Sequence, residues 1–438
     1  MRFERSEGLT PSERVLANLC DNSFLKLWTY PNLYRNVAKE LTDLLVVCGN
    51  DVIIFSDKSC GYPNSGDPAL DWSRWYRRSI SKSVHQIDQA ERWLRNNPDR
   101  VYLDARCTKP LPITLPPPEK MRIHRVCIAL GAAERALADT GRQGLAIKPL
   151  VLNDAEPFTI GRTEPSREWV HVFDEESLAV VLRELSTITD FVHYLSSKTA
   201  MCESGHFIFA ESELDILGYY LWHNRTCPTV DHAFRLEANL WQKLESDLAF
   251  LRGREENEIS YFWDRLIEYL TNHYLGETLE AGNDLEVGEY ERLARIMAGE
   301  TRFFRRILAK AILERAERAR RNAIGTLLPS GQSDVIYVLF IGRGDQGGDH
   351  ASYRAARAAE LKSRCIAAKA VRPDVRYVIG IALDALGVKG RSEDFILIDT
   401  QDWTLEQIEK AEELRQLAGH FIDGRTILNR VHEQEYPT

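Results

Sequence analysis

The chain has 438 residues, 44% of them apolar and 28% charged, which is the profile of a folded globular protein rather than a disordered or fibrous one. At about 150 residues per domain it is long enough for two or three domains. Fifty-six Lys and Arg against 65 Asp and Glu leave a net charge of −9, which excludes a generally cationic nucleic-acid coat, so any phosphate-binding surface must be built locally.

The opening MRFERSEGLTPSER lacks the apolar core of a secretory signal, and apolar runs such as Val335–Ile341 fall far short of the ~20 residues that span a bilayer. Eight scattered cysteines form no CxxC pair. The expectation is a cytoplasmic, reducing context without membrane association.

Taken in chain order, Leu33–Leu41 has a short helical pattern. Leu44–Val47 and Val52–Phe55 are β-branched runs separated by Cys48-Gly49-Asn50-Asp51, which predicts two strands joined by a tight hairpin. A long amphipathic helix is expected from about Asp71 to Arg95, with Trp72, Trp75, Tyr76, Ile80, Val84 and Ile87 at helical spacing. Strands are expected at Val101–Leu103, Ile123–Leu130 and Val170–Phe173, followed by a helix opened by Asp174-Glu175-Glu176. Residues 211–322 read as almost entirely helical. Strands near 334–341, 376–383 and 395–398 and helices near 351–371 and 404–415 then return the chain to α/β. The expected organisation is an N-terminal α/β domain over 1–200, a helical domain over 201–325 and a C-terminal α/β domain over 326–438.

The chemistry gathers around the hairpin. Glu40 and Asp43 stand before the first strand, and the second ends in Ser56-Asp57-Lys58. Charges directly after a buried strand need a compensating role, because an unpaired buried charge is costly. Carboxylates converging with a lysine are what metal-assisted phosphodiester hydrolysis uses: the acids hold a hard cation and the lysine orients water or stabilises the transition state. On these residues the segment from about 20 to 110 resembles the restriction-endonuclease-like superfamily, in which an Asp and a downstream (D/E)xK share a β-hairpin. The resemblance implies a mixed sheet flanked by helices, Asp43 as the first acid, Lys58 as the lysine, and Glu40, Asp43 and Asp57 as ligands of Mg²⁺ or Mn²⁺. It also implies a following helix that places a polar residue at the site, for which Gln86 is the candidate.

One departure stands out. Two residues before Lys58 is Ser56, not an acid, and Asp57 alternates to the opposite strand face. Three arrangements resolve this: a bulge that re-aims Asp57, Glu40 as second carboxylate from a preceding helix, or a site that has kept its fold and lost its metal.

Arg74, Arg77, Arg78 and Lys82 on the long helix are candidate phosphate contacts, and Trp72, Trp75 and Tyr76 are either base-stacking rings or a buried stripe. A second helix, Arg302–Arg321, has eight Lys or Arg against Glu314 and Glu317, a net of +6, and either tracks nucleic acid or pairs with acidic neighbours. Gly342-Arg-Gly344-Asp-Gln-Gly347 formally matches a dinucleotide-binding loop, but the next strand ends too far on, at Asp384. The expected function is a metal-dependent nuclease acting on DNA, with RNA open, in a defence role by analogy. Double-strand cutting would call for a homodimer, and the accessory regions for a partner protein. The alternative is an inactive protein of the same fold that binds nucleic acid or a partner.

Overall fold

The computed structural model describes residues 3–163, 168–345, 347–388, 392–422 and 433–436. The fold is mixed α/β, and contacts gather it into two units, Met1–Leu251 with Glu268–Arg295, and Arg252–Ile267 with Ile296–Thr438. The helices of 201–325 are thus shared between the two units.

In the first unit, Thr10 caps α1 (Pro11–Phe24): its hydroxyl accepts from the Glu13 N–H while the Glu13 carboxylate accepts from the Thr10 N–H, and Pro11 opens the helix. Next come β1 (Thr29–Asn36), β2 (Lys39–Cys48) and β3 (Asp51–Ser59). The helix expected over Leu33–Leu41 does not form. Those residues are the end of β1, a turn at Val37-Ala38 and the start of β2, with Ala38 at φ +56°. Nine residues of helical pattern make a marginal helix in water, and pairing of β1 along an apolar β2 outweighs them. The second hairpin forms as expected, Cys48 facing Asp51 across Gly49-Asn50, with Gly49 in the left-handed region at φ +61°.

The long helix is present as α2 (Pro68–Tyr76) and α3 (Lys82–Asn96), joined by a π-helical turn at Arg77–Ser81. Its apolar stripe from Trp72 to Leu94 is buried. The chain then reaches β4 (Arg122–Leu130), parallel to β3. Val101–Leu103 is not a strand: Tyr102 makes only isolated bridges to Tyr34 and Pro110, the Pro-rich connection offering too few N–H donors for a ladder. After α4 (Ala133–Thr140), a small parallel pair β5 (Ala146–Leu152) and β6 (Thr159–Arg162) precedes β7 (His171–Phe173), which lies parallel to β4. Asp174 caps α5 (Glu175–Glu184), followed by α6 (Ile188–Glu203).

The sheet order is β1-β2-β3-β4-β7, antiparallel through β3 and parallel beyond. Phe55, Phe24, Phe173 and Phe191 stack on the face covered by α1 and α6, and α3 packs on β2, β3 and β4. Strand alternation therefore sends Phe55 and Asp57 one way and Ser56 and Lys58 the other.

The remaining elements run β8 (Phe207–Phe209), α7 (Glu213–Trp222), β9 (Phe234–Arg235), α8 (Leu240–Glu245), α9 (Leu248–Asn257), α10 (Tyr261–Leu275), α11 (Val287–Ala298) and α12 (Arg302–Arg318). The second unit holds the sheet β10 (Ile324–Pro329), β11 (Val335–Gly342), β12 (Tyr377–Asp384) and β13 (Asp394–Asp399). In it, α13 (His350–Val371) crosses between the parallel strands β11 and β12, and α14 (Leu405–Ala418) packs on α13.

Candidate functional site

The register that sets Leu44 opposite Phe55 brings Asp43 and Ser56 next to each other on the face under α3. Asp43 is 2% exposed and is the hub. Its Oδ2 accepts from Lys58 Nζ at 3.0 Å and from the Asp57 N–H at 2.6 Å. Its Oδ1 accepts from Gln86 Nε2 at 2.9 Å. The Ser56 hydroxyl lies 3.3 Å from Asp43 Oδ2 and 3.1 Å from Gln86 Oε1, and its single proton serves one of them at a time. Lys58 keeps 29% of its side chain exposed, so the charge pair opens to solvent on the lysine side. Asp43, Lys58 and Gln86 are thus brought together, and Ser56 joins them. Its membership was readable from strand alternation, two residues before Lys58.

Glu40 and Asp57 do not join this set. β3 runs in register with β4 from Asp51 to Ser59 without a shift, so no bulge re-aims Asp57. Its carboxylate, 6% exposed, points to the other face; the Ser12 hydroxyl lies near it, but neither oxygen completes a well-formed hydrogen bond. Burial raises the Asp57 pKa and the Asp43 charge adds to the rise, while the Ser12 hydroxyl and Lys58 oppose it. Glu40 sits on β2, not on a helix, and accepts from Asn32 Nδ2 at 3.1 Å. Burial raises its pKa as well, against the Asn32 bond, with Asp43 and Glu13 adding repulsion. The same Asn32 amide donates to Glu13 Oε2 at 2.9 Å. Burial pushes Glu13 up, but Asn32 and the Thr10 and Leu9 N–H groups outweigh it and its pKa is lowered. Asn32, buried at φ +50°, and Glu13 carry no sequence signal of this role.

The oxygens at Asp43, Ser56 and Gln86 are hard donors of the type that Mg²⁺ and Mn²⁺ take, and the orphaned Asp57 carboxylate is a buried group that wants a cation or a proton. Only one of the donors at Asp43 is charged, and Lys58 already balances it. Among the described residues no three His, Cys, Asp or Glu side chains gather as a metal cluster. The donor chemistry therefore suits one weakly held hard cation, not a set of several carboxylates.

The helix carrying Gln86 divides cleanly. Trp72, Trp75 and Tyr76 are at most 1% exposed, with Trp75 Nε1 donating to the Cys60 and Leu130 carbonyls, so these rings are core and not stacking platforms. Arg74, Arg77, Arg78 and Lys82 are exposed and form no side-chain ion pair among the described residues. On α12 the opposite holds. Arg302 and Arg305 are buried on the Asp264 carboxylate at 2.7 and 2.6 Å, Arg306 donates to the Gly253, Gln434 and Glu435 carbonyls, and Lys310 bonds Glu256 and Glu433. The N-terminal half of this helix is thus held within the fold by acids and carbonyls, whereas Arg318, Arg320 and Arg321 at its far end are exposed.

In the second unit Asp384 does end the strand after the Gly342 loop. It is consumed, however, by Arg357 Nη1 at 2.6 Å, the Tyr353 hydroxyl and the Ser392 N–H. The Tyr353 hydroxyl also fills the space that a Cβ on Gly342 would need, so the glycine admits a side chain of this chain. The loop offers no free acid for a ribose.

Comparison with protein-family models, curated proteins and solved structures finds no match for this chain. No helix among the described residues is long and apolar enough to cross a membrane.

Proposed function

We propose that the chain is a metal-dependent phosphodiesterase of the restriction-endonuclease-like type, acting on DNA or RNA through Asp43, Lys58 and Gln86. The observation that carries this reading is the convergence of a buried aspartate, a lysine and a glutamine from two adjacent strands and the following helix. Lys58 and Gln86 meet the two oxygens of Asp43 at 3.0 and 2.9 Å. A Mg²⁺ or Mn²⁺ ion held mainly by Asp43 would neutralise phosphate charge and lower the pKa of a bound water. Lys58, free on its solvent side, is placed to meet a phosphate oxygen and stabilise charge that develops on it. Gln86 and Ser56 hold Asp43 in one orientation, and the exposed cations of α2 and α3 draw in the polyanion despite the net charge of −9. A defence role rests on the resemblance of these residues alone.

The neutral balance of Asp43 with Lys58, and Ser56 in place of an acid, favour a second reading: a protein that binds nucleic acid and does not cut it. Plasmid, single-stranded DNA and RNA incubated with Mg²⁺, Mn²⁺ or EDTA separate the two. Metal-dependent cutting that disappears in Asp43→Ala and Lys58→Ala supports the enzyme. Salt-sensitive binding indifferent to Mg²⁺, with no cutting, replaces it with the silent binder.

A further inference from the structure

At the far end of the same hairpin, about 20 Å from Asp43 at the rise of six strand residues, a cavity of about 380 Å³ opens beside the Gly49-Asn50 turn. Every residue lining it belongs to the first unit. Its walls are of two kinds. Val47, Ile113 and Pro116 are apolar, whereas Asn50, Thr114, Glu291 and Arg295 bring polar groups to one place, the mixture found in small-molecule sites of this size.

The charges are arranged asymmetrically. Glu291 is used inward: its Oε1 accepts from the fully buried Trp28 Nε1 at 2.8 Å, and its Oε2 accepts from Arg295 Nε at 3.2 Å. Arg295 thereby has one edge fixed, and no hydrogen bond among the described residues reaches either of its terminal nitrogens. The turn makes room for that free edge. A Cβ at Gly49 would stand 3.3 Å from Arg295 Nη1, and Gly49 already needs the left-handed conformation. On the same face of α11 Gly288 borders open space, with nothing within 4 Å of a would-be Cβ.

A guanidinium held along one edge and bare along the other is pre-organised for a bidentate oxyanion. With Asn50 and Thr114 as neutral donors and apolar walls behind, the occupant is a small organic molecule that carries an anionic head. We propose that this cavity binds a small phosphate- or carboxylate-bearing ligand through Arg295, independently of the Asp43 site.

Isothermal titration of the full chain at low ionic strength with inorganic phosphate, AMP and citrate tests this and separates phosphate from carboxylate chemistry. The expected result is saturable one-to-one binding of at least one probe, weakened at least tenfold in Arg295→Gln. Gly288→Leu places a side chain in the open space of the cavity while favouring the α11 helix, so it should abolish binding without lowering the melting temperature. If no probe binds, or if binding is unchanged in either variant, the assignment is overturned.

Discussion

Asp57 offers the sharpest physical test at the strand end. It is 6% exposed, and neither carboxylate oxygen completes a well-formed hydrogen bond, although the Ser12 hydroxyl lies nearby. Burial, helped by the Asp43 charge, raises its folded pKa, whereas in the unfolded chain it titrates near the ordinary aspartate value of about 4. Above the folded pKa the native state bears a charge that its surroundings penalise, and below the unfolded value both states are protonated and the penalty vanishes. The group's contribution to stability is therefore most favourable in acid and is lost as pH rises through the folded pKa. Asp57→Asn keeps the shape and removes the charge. The buried amide stays unpartnered, so the gain is the charge penalty alone, about 1.4 kcal/mol for each unit by which folding raises the pKa; the variant should gain on the order of 1 kcal/mol at pH 8, or roughly 2–4 °C of melting temperature per kcal/mol. The gain should shrink to nothing below pH 4. Urea unfolding at several pH values reads this directly. A variant no more stable than wild type at pH 8, or a gain that ignores pH, refutes the reasoning. The same titration repeated with Mg²⁺ adds a second reading, because a wild type stabilised by the ion to match Asp57→Asn would make this carboxylate a cation ligand.

Three other outcomes follow from the geometry. Lys58→Ala should lower cleavage at least about 100-fold, the scale of losing one donor to a developing charge. It should leave the fold intact, because Asp43 retains the Asp57 N–H, Ser56 and Gln86, as circular dichroism beside a cleavage assay would confirm. Arg305→Met should cost about 3 kcal/mol in urea unfolding, since Asp264 then keeps only Arg302, and it should leave nucleic-acid affinity unchanged; weaker binding without loss of stability would contradict the structural role of α12. Replacing Arg74, Arg77, Arg78 and Lys82 together by Gln should flatten the dependence of log K on log salt by up to about 3.6 for a duplex, about 0.9 for each phosphate no longer neutralised, measured by fluorescence anisotropy.

What could be read in the sequence was what is settled locally. The β2–β3 hairpin announces itself through two β-branched runs around Gly49-Asn50, and the α2–α3 stripe through its period, so Asp43, Lys58 and Gln86 could be named without coordinates. Most of the failures turn on pairing or burial that residue pattern alone does not report. Leu33–Leu41 has a helical pattern, but its conformation is decided by pairing between β1 and β2. Whether α12 is a wet cationic face or a buried one depends on Asp264, 38 residues away from Arg302, and no periodicity reports that partner. Trp72 and Tyr76 had two readings because the same spacing describes a core stripe and a stacking surface, and only burial decides between them. For Asp57 the alternation of the strand was informative from the start, and the unbroken β3–β4 ladder bears it out.

That ladder also sharpens the functional choice. With Asp57 turned away, the set beneath α3 is one carboxylate, one ammonium and two neutral side chains, a balance of zero. A cation arriving at Asp43 must displace Lys58 from Oδ2 or share the carboxylate with it, and the 29% exposure of Lys58 leaves the lysine room to swing toward solvent, where a phosphate would meet it. Where the ion displaced Lys58, the enzyme reading would have metal and substrate bind together, each offsetting part of the cost of opening the Asp43–Lys58 pair. The silent reading requires that pair to stay closed while phosphates settle on the exposed cations of α2 and α3. Cooperativity between Mn²⁺ and a nucleic-acid ligand, present in the first case and absent in the second, is the property in which the two differ most, and it does not depend on whether the right substrate for cleavage has been found.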